Sequence, residues 1–133
     1  MKMTYEETDE FAHDVKKLLK RFRSLHEDLE VVKRNAIELY HCKNLDNRSV
    51  FRIPGLGSGS VQPYKVKKFA CKALKGKGNR SGIRVIYAYL VQSQKVVFLE
   101  MYYKADQANE NRQRITDFLK RLVSPVPDTP RNR

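Results

Sequence analysis

The residues that could do chemistry in this sequence are its lysines and arginines, which are concentrated in one segment. The 133-residue chain has a formal net charge of +12. Residues 47–99 hold no Asp or Glu, so the segment cannot neutralise its own charge, and we expect it to face nucleic acid, an acidic protein or a membrane surface. A solvated surface is the plain alternative, although such surfaces usually mix both signs. The cations of the segment are Arg48, Arg52, Lys65, Lys67, Lys68, Lys72, Lys75, Lys77, Arg80, Arg84 and Lys95.

The highest density of positive charge lies between Lys65 and Arg84. Side chains alternate along a strand, so Lys65 and Lys67 are predicted to point to the same side, with Arg84 on the next strand. Burying an unpaired cation is very costly, which favours an open sheet face for all three. Glycines in the connecting loop would let a polyanion approach closely. The loop contributes Lys72, Lys75, Lys77 and Arg80.

Two amphipathic helices are predicted before this basic segment. Thr8 is a candidate N-cap, and apolar residues recur at three- and four-residue spacings from Phe11 to Phe22. Ser24 and Glu27 have capping-box spacing at the start of a second apolar stripe that reaches Tyr40. Two helices this close in sequence should form an antiparallel hairpin that packs on another layer.

Strand patterns follow the hairpin, and together they predict an α+β fold. Residues 42–60 are interpreted as a loop, and a final helix is predicted with Asn109 or Asn111 as its cap. We expect the helical hairpin to pack on an antiparallel sheet of three to four strands, leaving the other sheet face free to bind. The strand candidates are a weak leading strand, Lys2–Tyr5, and then Val61–Cys71, Ile83–Val91 and Val96–Tyr103.

The chain is expected to form one domain, residues 1–123, followed by a flexible Pro/Arg tail, residues 124–133. Cys42 and Cys71 are too few and too unpatterned to indicate disulfides or a zinc site, and neither a metal nor a cofactor is expected. No apolar run approaches the roughly 18 residues of a membrane helix, and the chain has no apolar leader. A cytoplasmic protein without membrane contact is therefore expected.

Four stretches of the chain carry a family resemblance: Tyr64–Phe69, Gly76–Tyr87, Val97–Lys104 and Phe11–Leu29. They resemble the RelE/ParE superfamily of type II toxins, most closely its HigB-like and RelE-like branch. Tyr64–Phe69 and Gly76–Tyr87 resemble the family's strand–loop–strand core. Val97–Lys104 resembles its last strand and trailing lysine, and Phe11–Leu29 its opening helical hairpin. The resemblance covers roughly residues 3–122, and its most specific part is Gly-Ile-Arg-Val-Ile-Tyr, residues 82–87.

The resemblance implies the toxin of a toxin–antitoxin system, an endoribonuclease that cleaves messenger RNA on the ribosome without a metal. It implies catalytic roles for Lys65, Lys67, Arg84 and Lys104. Arg84 would clamp phosphate, and one of the paired lysines would act as base if neighbouring cations lowered its pKa. Lys68, Lys72, Lys75, Lys77 and Arg80 would bind RNA. The implied partners are messenger RNA, the ribosome and an antitoxin with an acidic or amphipathic segment, with a toxin–antitoxin heterotetramer as one expected assembly.

Two alternatives remain open at this stage. One is a ParE-like inhibitor of DNA gyrase, and the other is a non-catalytic module that binds RNA or the ribosome. The chain also departs from the family, because Ala105 follows Lys104 and residues 111–123 contain no Tyr or His. The general acid is therefore unassigned. Tyr87, Tyr102 and Tyr103 are candidates for it, although packing is the favoured role for each.

Overall fold

The computed structural model describes residues 2–78 and 80–123, so the predicted tail lies outside the described residues. The helices of this part are α1 (Asp9–Leu19), α2 (Leu25–Val32), α3 (Glu38–Cys42) and α4 (Arg112–Val123). A π-helical turn, Lys33–Ile37, joins α2 to α3. The strands are β1 (Thr4–Glu7), β2 (Val50–Arg52), β3 (Val61–Val66), β4 (Ile83–Leu90) and β5 (Lys95–Tyr103).

The strands form one sheet in the order β1-β5-β4-β3-β2. All neighbours are antiparallel except β1, which runs parallel to β5. The predicted α+β class is confirmed, but the sheet has five strands rather than three or four. The extra strand is β2, which lies inside the predicted loop of residues 42–60 and pairs Val50 with Val66. Three residues are too few to show the period-two alternation by which a strand is recognised.

Both faces of the sheet are covered for most of their length. On one face, Val85, Tyr87 and Phe98 pack against the N-terminal helices. On the other, Ile86, Ala88 and Leu99 pack against Ile115 and Phe118 of α4. The expectation of a free second face is therefore wrong over most of its area, because the apolar stripe of α4 needs a surface to bury.

Hydrogen bonds at the helix starts confirm two predicted caps and correct a third. The Thr8 hydroxyl accepts from the Phe11 N–H at 3.1 Å, and Asn111 Oδ1 accepts from the Arg114 N–H at 3.2 Å. Ser24 does precede α2, but its hydroxyl makes no capping bond. It donates to Asp28 Oδ2 at 2.6 Å and accepts from the Ala73 N–H at 2.9 Å. Ser24 thus ties the hairpin to the basic loop.

Candidate functional site

A cleft of about 590 Å³ lies at the end of the sheet where β3 ends, β4 begins and β5 ends. We call it the cation cleft, because five of its six lining residues are basic. They are Lys67, Lys68, Arg80, Gly82, Arg84 and Lys104.

Strand register explains why distant residues meet in this cleft. Val66 lies opposite Val85, and continuing this antiparallel register by one residue places Lys67 opposite Arg84. Arg84 in turn lies opposite Tyr102 on β5, two residues before Lys104. Residues opposite each other, or two apart on one strand, share a sheet face. Lys67, Arg84 and Lys104 therefore project from the same side of the sheet.

Gly82 brings the last lysine close to Arg84. Its carbonyl accepts from the Lys104 N–H at 2.8 Å, which extends the β4–β5 pairing by one step. Its φ is +88°, and a Cβ there would lie 3.2 Å from Tyr103 Cε1. A glycine is required by both the left-handed backbone and the close approach of the tyrosine ring.

The loop that carries Arg80 is fixed at its two ends. Phe69 is fully buried, and its backbone forms an isolated parallel β-bridge with Arg80. The buried Ser81 hydroxyl donates to the Phe69 carbonyl at 2.5 Å and accepts from the Ile83 N–H at 3.0 Å. These contacts hold Lys68 and Arg80 at the rim of the cation cleft, although they belong to different parts of the loop.

None of the five cations of the cleft has a carboxylate of residues 2–78 or 80–123 within ion-pair distance. Within residues 2–78 and 80–123, Arg84 makes one long hydrogen bond, from Nη1 to the Ile83 carbonyl at 3.4 Å. Most of its donors therefore remain available for an anion. A planar guanidinium binds phosphate oxygens in pairs, and the surrounding ammonium groups add charge around it.

Lys65 points to the same sheet face but is separated from the other cations. Its Nζ lies 2.5 Å from Glu110 Oε1, and the two side chains are only 14% and 11% exposed. Arg112 Nη1 lies 3.8 Å from the other carboxylate oxygen. Lys65 is thus neutralised beside the cleft rather than lining it.

The electrostatics of this pair oppose the role of base considered for Lys65. Burial by itself would lower the pKa of Lys65, but contact with Glu110 outweighs it and raises the pKa. Burial likewise favours a higher pKa for Glu110, yet the Lys65 ammonium lowers it. Both groups are held in their charged forms, whereas a general base needs an unprotonated amine near neutrality. The contact with Glu110 therefore disfavours the role of base that the resemblance implied for Lys65.

The remaining loop cations lie outside the cation cleft. Lys72 pairs with Glu27 of α2 at 3.3 Å on the exposed surface. Lys72 and Lys75 line a separate open hollow, and the Lys77 side chain is exposed without lining the cation cleft. The structure thus divides the predicted RNA-binding set, keeping Lys68 and Arg80 with Arg84.

The three candidate tyrosines are packing residues. Tyr87 is fully buried, with its hydroxyl 2.7 Å from His41 Nε2, and burial raises its pKa. Tyr102 is 5% exposed, and burial raises its pKa as well. Tyr103 packs edge-on against Phe22. The favoured packing role agrees with the structure for all three.

Two structural features beside the cleft were not predicted from the sequence. Glu110 follows the strand motif and shows no pattern that would pair it with Lys65, 45 residues earlier. Glu100, a buried carboxylate within β5, accepts from the Gln107 side chain at 2.7 Å and the Asn111 N–H at 2.8 Å. It anchors the loop that carries Lys104 and Glu110. An acid inside an otherwise apolar strand was the available signal.

Comparison with known proteins gives one structural neighbour to describe. No protein-family model matches the chain, and no curated protein matches it. A solved structure titled as the archaeal RelE–RelB complex from Pyrococcus horikoshii OT3 is similar at 12% sequence identity, with a TM-score of 0.46. The match covers 78% of this chain and 97% of the other. At that level of likeness, we base the proposed function on the residues of the cation cleft.

Among the described helices, none combines the length and apolar character that crossing a bilayer requires.

Proposed function

We propose that the chain is a RelE-like toxin that binds messenger RNA in the cation cleft and cleaves it during translation. The observation that carries this proposal is the cleft itself, with five cations drawn from three strand ends and the β3–β4 loop and free of carboxylate partners among the described residues. An RNA backbone supplies closely spaced negative charges that such a surface would neutralise. The sequence resemblance of residues 64–104 to the toxin core supports the same function.

The proposed reaction is an attack of the RNA on its own backbone. The ribose 2′-oxygen forms a bond to the adjacent phosphorus, and the bond from phosphorus to the 5′-oxygen breaks. A 2′,3′-cyclic phosphate and a 5′-hydroxyl result, with solvent water taking the proton of the 2′-hydroxyl and supplying the proton of the 5′-oxygen. Arg84 would bind the non-bridging oxygens, where negative charge grows in the transition state. Lys67 and Lys104 flank it and would hold the neighbouring phosphates.

We also propose that an antitoxin controls this activity by covering the cleft. The five cations of the cleft have no carboxylate partner among the described residues, so the cleft would attract an acidic segment as well as RNA. Occupation of the cleft by carboxylates would exclude phosphates directly. Binding of the antitoxin and binding of RNA should therefore be mutually exclusive.

A brief induction experiment tests the function. Expression of the wild-type chain should halt growth within minutes and produce new 5′ ends in translated messages, mapped by primer extension. Arg84→Ala should remove both effects at equal soluble yield, since loss of one preorganised donor costs roughly 10²–10³ in rate. Lys16→Ala on the exposed side of α1 removes the same charge at a residue that does not line the cleft, and this variant should remain toxic. Continued growth with unchanged 5′ ends would reject the proposal.

A second candidate function is RNA or ribosome binding without cleavage. It is favoured by the cleft lining, in which the described residues are lysine, arginine and glycine, with no carboxylate or imidazole to move a proton. This function predicts co-sedimentation with ribosomes that depends on Arg84, together with unchanged 5′ ends. A gyrase inhibitor would instead induce the DNA-damage response while leaving messages intact.

A further inference from the structure

Phe51 is an exception among the phenylalanines of this chain. It is 40% exposed, whereas the other five are at most 8% exposed. It also belongs to neither of the two apolar cores. Core packing therefore does not account for a large aromatic ring on this surface, and a valine or threonine would also suit the short edge strand β2.

The surroundings of Phe51 are positively charged. Lys67 Nζ lies 4.7 Å from the centre of its ring. A hollow of about 140 Å³ beside the ring is lined by Arg52, Arg112 and Lys67, together with the Lys65–Glu110 pair. This hollow is much smaller than the roughly 300–1,000 Å³ of a site for a drug-sized ligand. Its size suits one flat ring rather than a folded cofactor.

The ring and the cation cleft are joined through Lys67. Lys67 lines both hollows, and it is the only residue that the two share among those described. Phe51 lies opposite Lys65 in the β2–β3 register. Lys65 precedes Lys67 by two residues and lies on the same face of the sheet. Two residues of a strand span about 7 Å. A nucleotide whose phosphate contacts Lys67 and Arg84 would therefore have its base within reach of Phe51.

We propose that Phe51 is a nucleobase-stacking platform beside the cation cleft and that the ligand is single-stranded RNA. This inference rests on the proposed function, because the cleft must hold the phosphate for the base to reach the ring. Aromatic stacking accepts every base, since each has a π-face, so this site would add affinity without strong sequence preference. In double-stranded RNA the bases are stacked on each other, and the platform would be unused.

Binding to 2′-O-methyl oligonucleotides tests the platform, because they cannot undergo the cleavage reaction. One fluorescein-labelled eight-residue probe carries its bases, and a second is abasic at its four central positions. Phe51→Ala should weaken binding of the first probe roughly 5- to 140-fold and leave the abasic probe unchanged. Phe51→Tyr should bind both probes as the wild type does. Leu45→Ala, a matched loss of an exposed apolar side chain, should change neither.

The outcomes separate this inference from the proposed function. If Phe51→Ala and Leu45→Ala behave alike on the base-bearing probe, the platform is refuted. If Phe51→Ala weakens both probes equally, the ring acts on the protein and not on a base, which also refutes it. If Arg84→Ala leaves the abasic probe bound at full affinity, the phosphate cleft of the proposed function fails instead.

Discussion

Separation of the buried Lys65–Glu110 pair should destabilise the protein strongly. The perturbation is Lys65→Met, Glu110→Leu and the combination of both. Each single change leaves one charge in a site where its partner was 2.5 Å away and where little solvent reaches. The double change replaces both charges by apolar groups of comparable length.

The expected magnitude follows from the geometry. Two unit charges 2.5 Å apart attract by about 7 kcal/mol at an effective dielectric constant of about 20. Desolvation offsets much of this attraction, and the measured cost of removing one partner of a buried pair is roughly 3–5 kcal/mol. We expect about 3 kcal/mol for each single variant, because one side of the pair faces a hollow. The double variant should be within about 1 kcal/mol of wild type.

The assay is urea unfolding followed by circular dichroism at several pH values. The lowered pKa of Glu110 means that its contribution is present above about pH 4.3 and is lost as pH falls through the folded-state value. The raised pKa of Lys65 means that its contribution is complete below about pH 10.4 and is lost as pH rises further. In each single variant the orphaned group keeps only the effect of burial, which raises the pKa of Glu110 and lowers the pKa of Lys65. The cost of Lys65→Met should therefore decline towards acidic pH, and the cost of Glu110→Leu should decline towards alkaline pH.

Lys72→Met is the matched control, because its pair with Glu27 is exposed and should contribute less than about 1 kcal/mol. The reasoning is refuted if Lys65→Met is no more destabilising than Lys72→Met. It is also refuted if the cost of the double variant equals the sum of the costs of the two single variants, because Lys65 and Glu110 would then not be coupled. Lys65 would then be a solvated cation available to the cleft.

Three further predictions concern the stability of the fold. Gly82→Ala should destabilise by more than Gly76→Ala in urea unfolding, because both have φ near +80° but only Gly82 lies against the Tyr103 ring; equal losses would show that the ring moves freely. Glu100→Ala should cost about 1–3 kcal/mol by removing the two hydrogen bonds that its buried carboxylate accepts from the following loop, and a faster amide exchange confined to that loop would be the signature. Burial lowers the pKa of His41 to about 4, so stability should fall as pH drops from about 6.5 towards that value, and a His41 proton resonance titrating near 6.5 would contradict this.

Local pattern was sufficient for the elements that carry the site. The apolar run of β5 is buried on both faces as its composition predicts, and the Thr8 cap starts α1 at the expected residue. The alternation rule placed Lys65 and Lys67 on one side of β3, as observed. These features depend on neighbours in sequence, which a single chain displays directly.

The features that were missed depend on distant partners. To predict that α4 packs over the second sheet face, one would have to know where the apolar stripe of Ile115 and Phe118 docks. To predict that Lys65 is neutralised, one would have to know that the loop anchored by Glu100 places Glu110 beside it. The sequence predicted that the cations share an open sheet face, but it did not predict that Arg80 and Lys104 lie around Arg84 in one cleft. The actual cleft is narrower, because α4 covers the rest.

The most direct test of the cation cleft is the salt dependence of RNA binding. With a 2′-O-methyl probe, five cations each neutralising one phosphate give a log–log slope of about −3.5, from about −0.7 per contact on a single strand. Arg84→Ala should reduce that slope to about −2.8 and weaken binding at all salt concentrations, whereas Lys16→Ala should match the wild type. A shallow slope for the wild type, or identical curves for the two variants, would contradict the assignment of this cleft as the site that binds RNA phosphates.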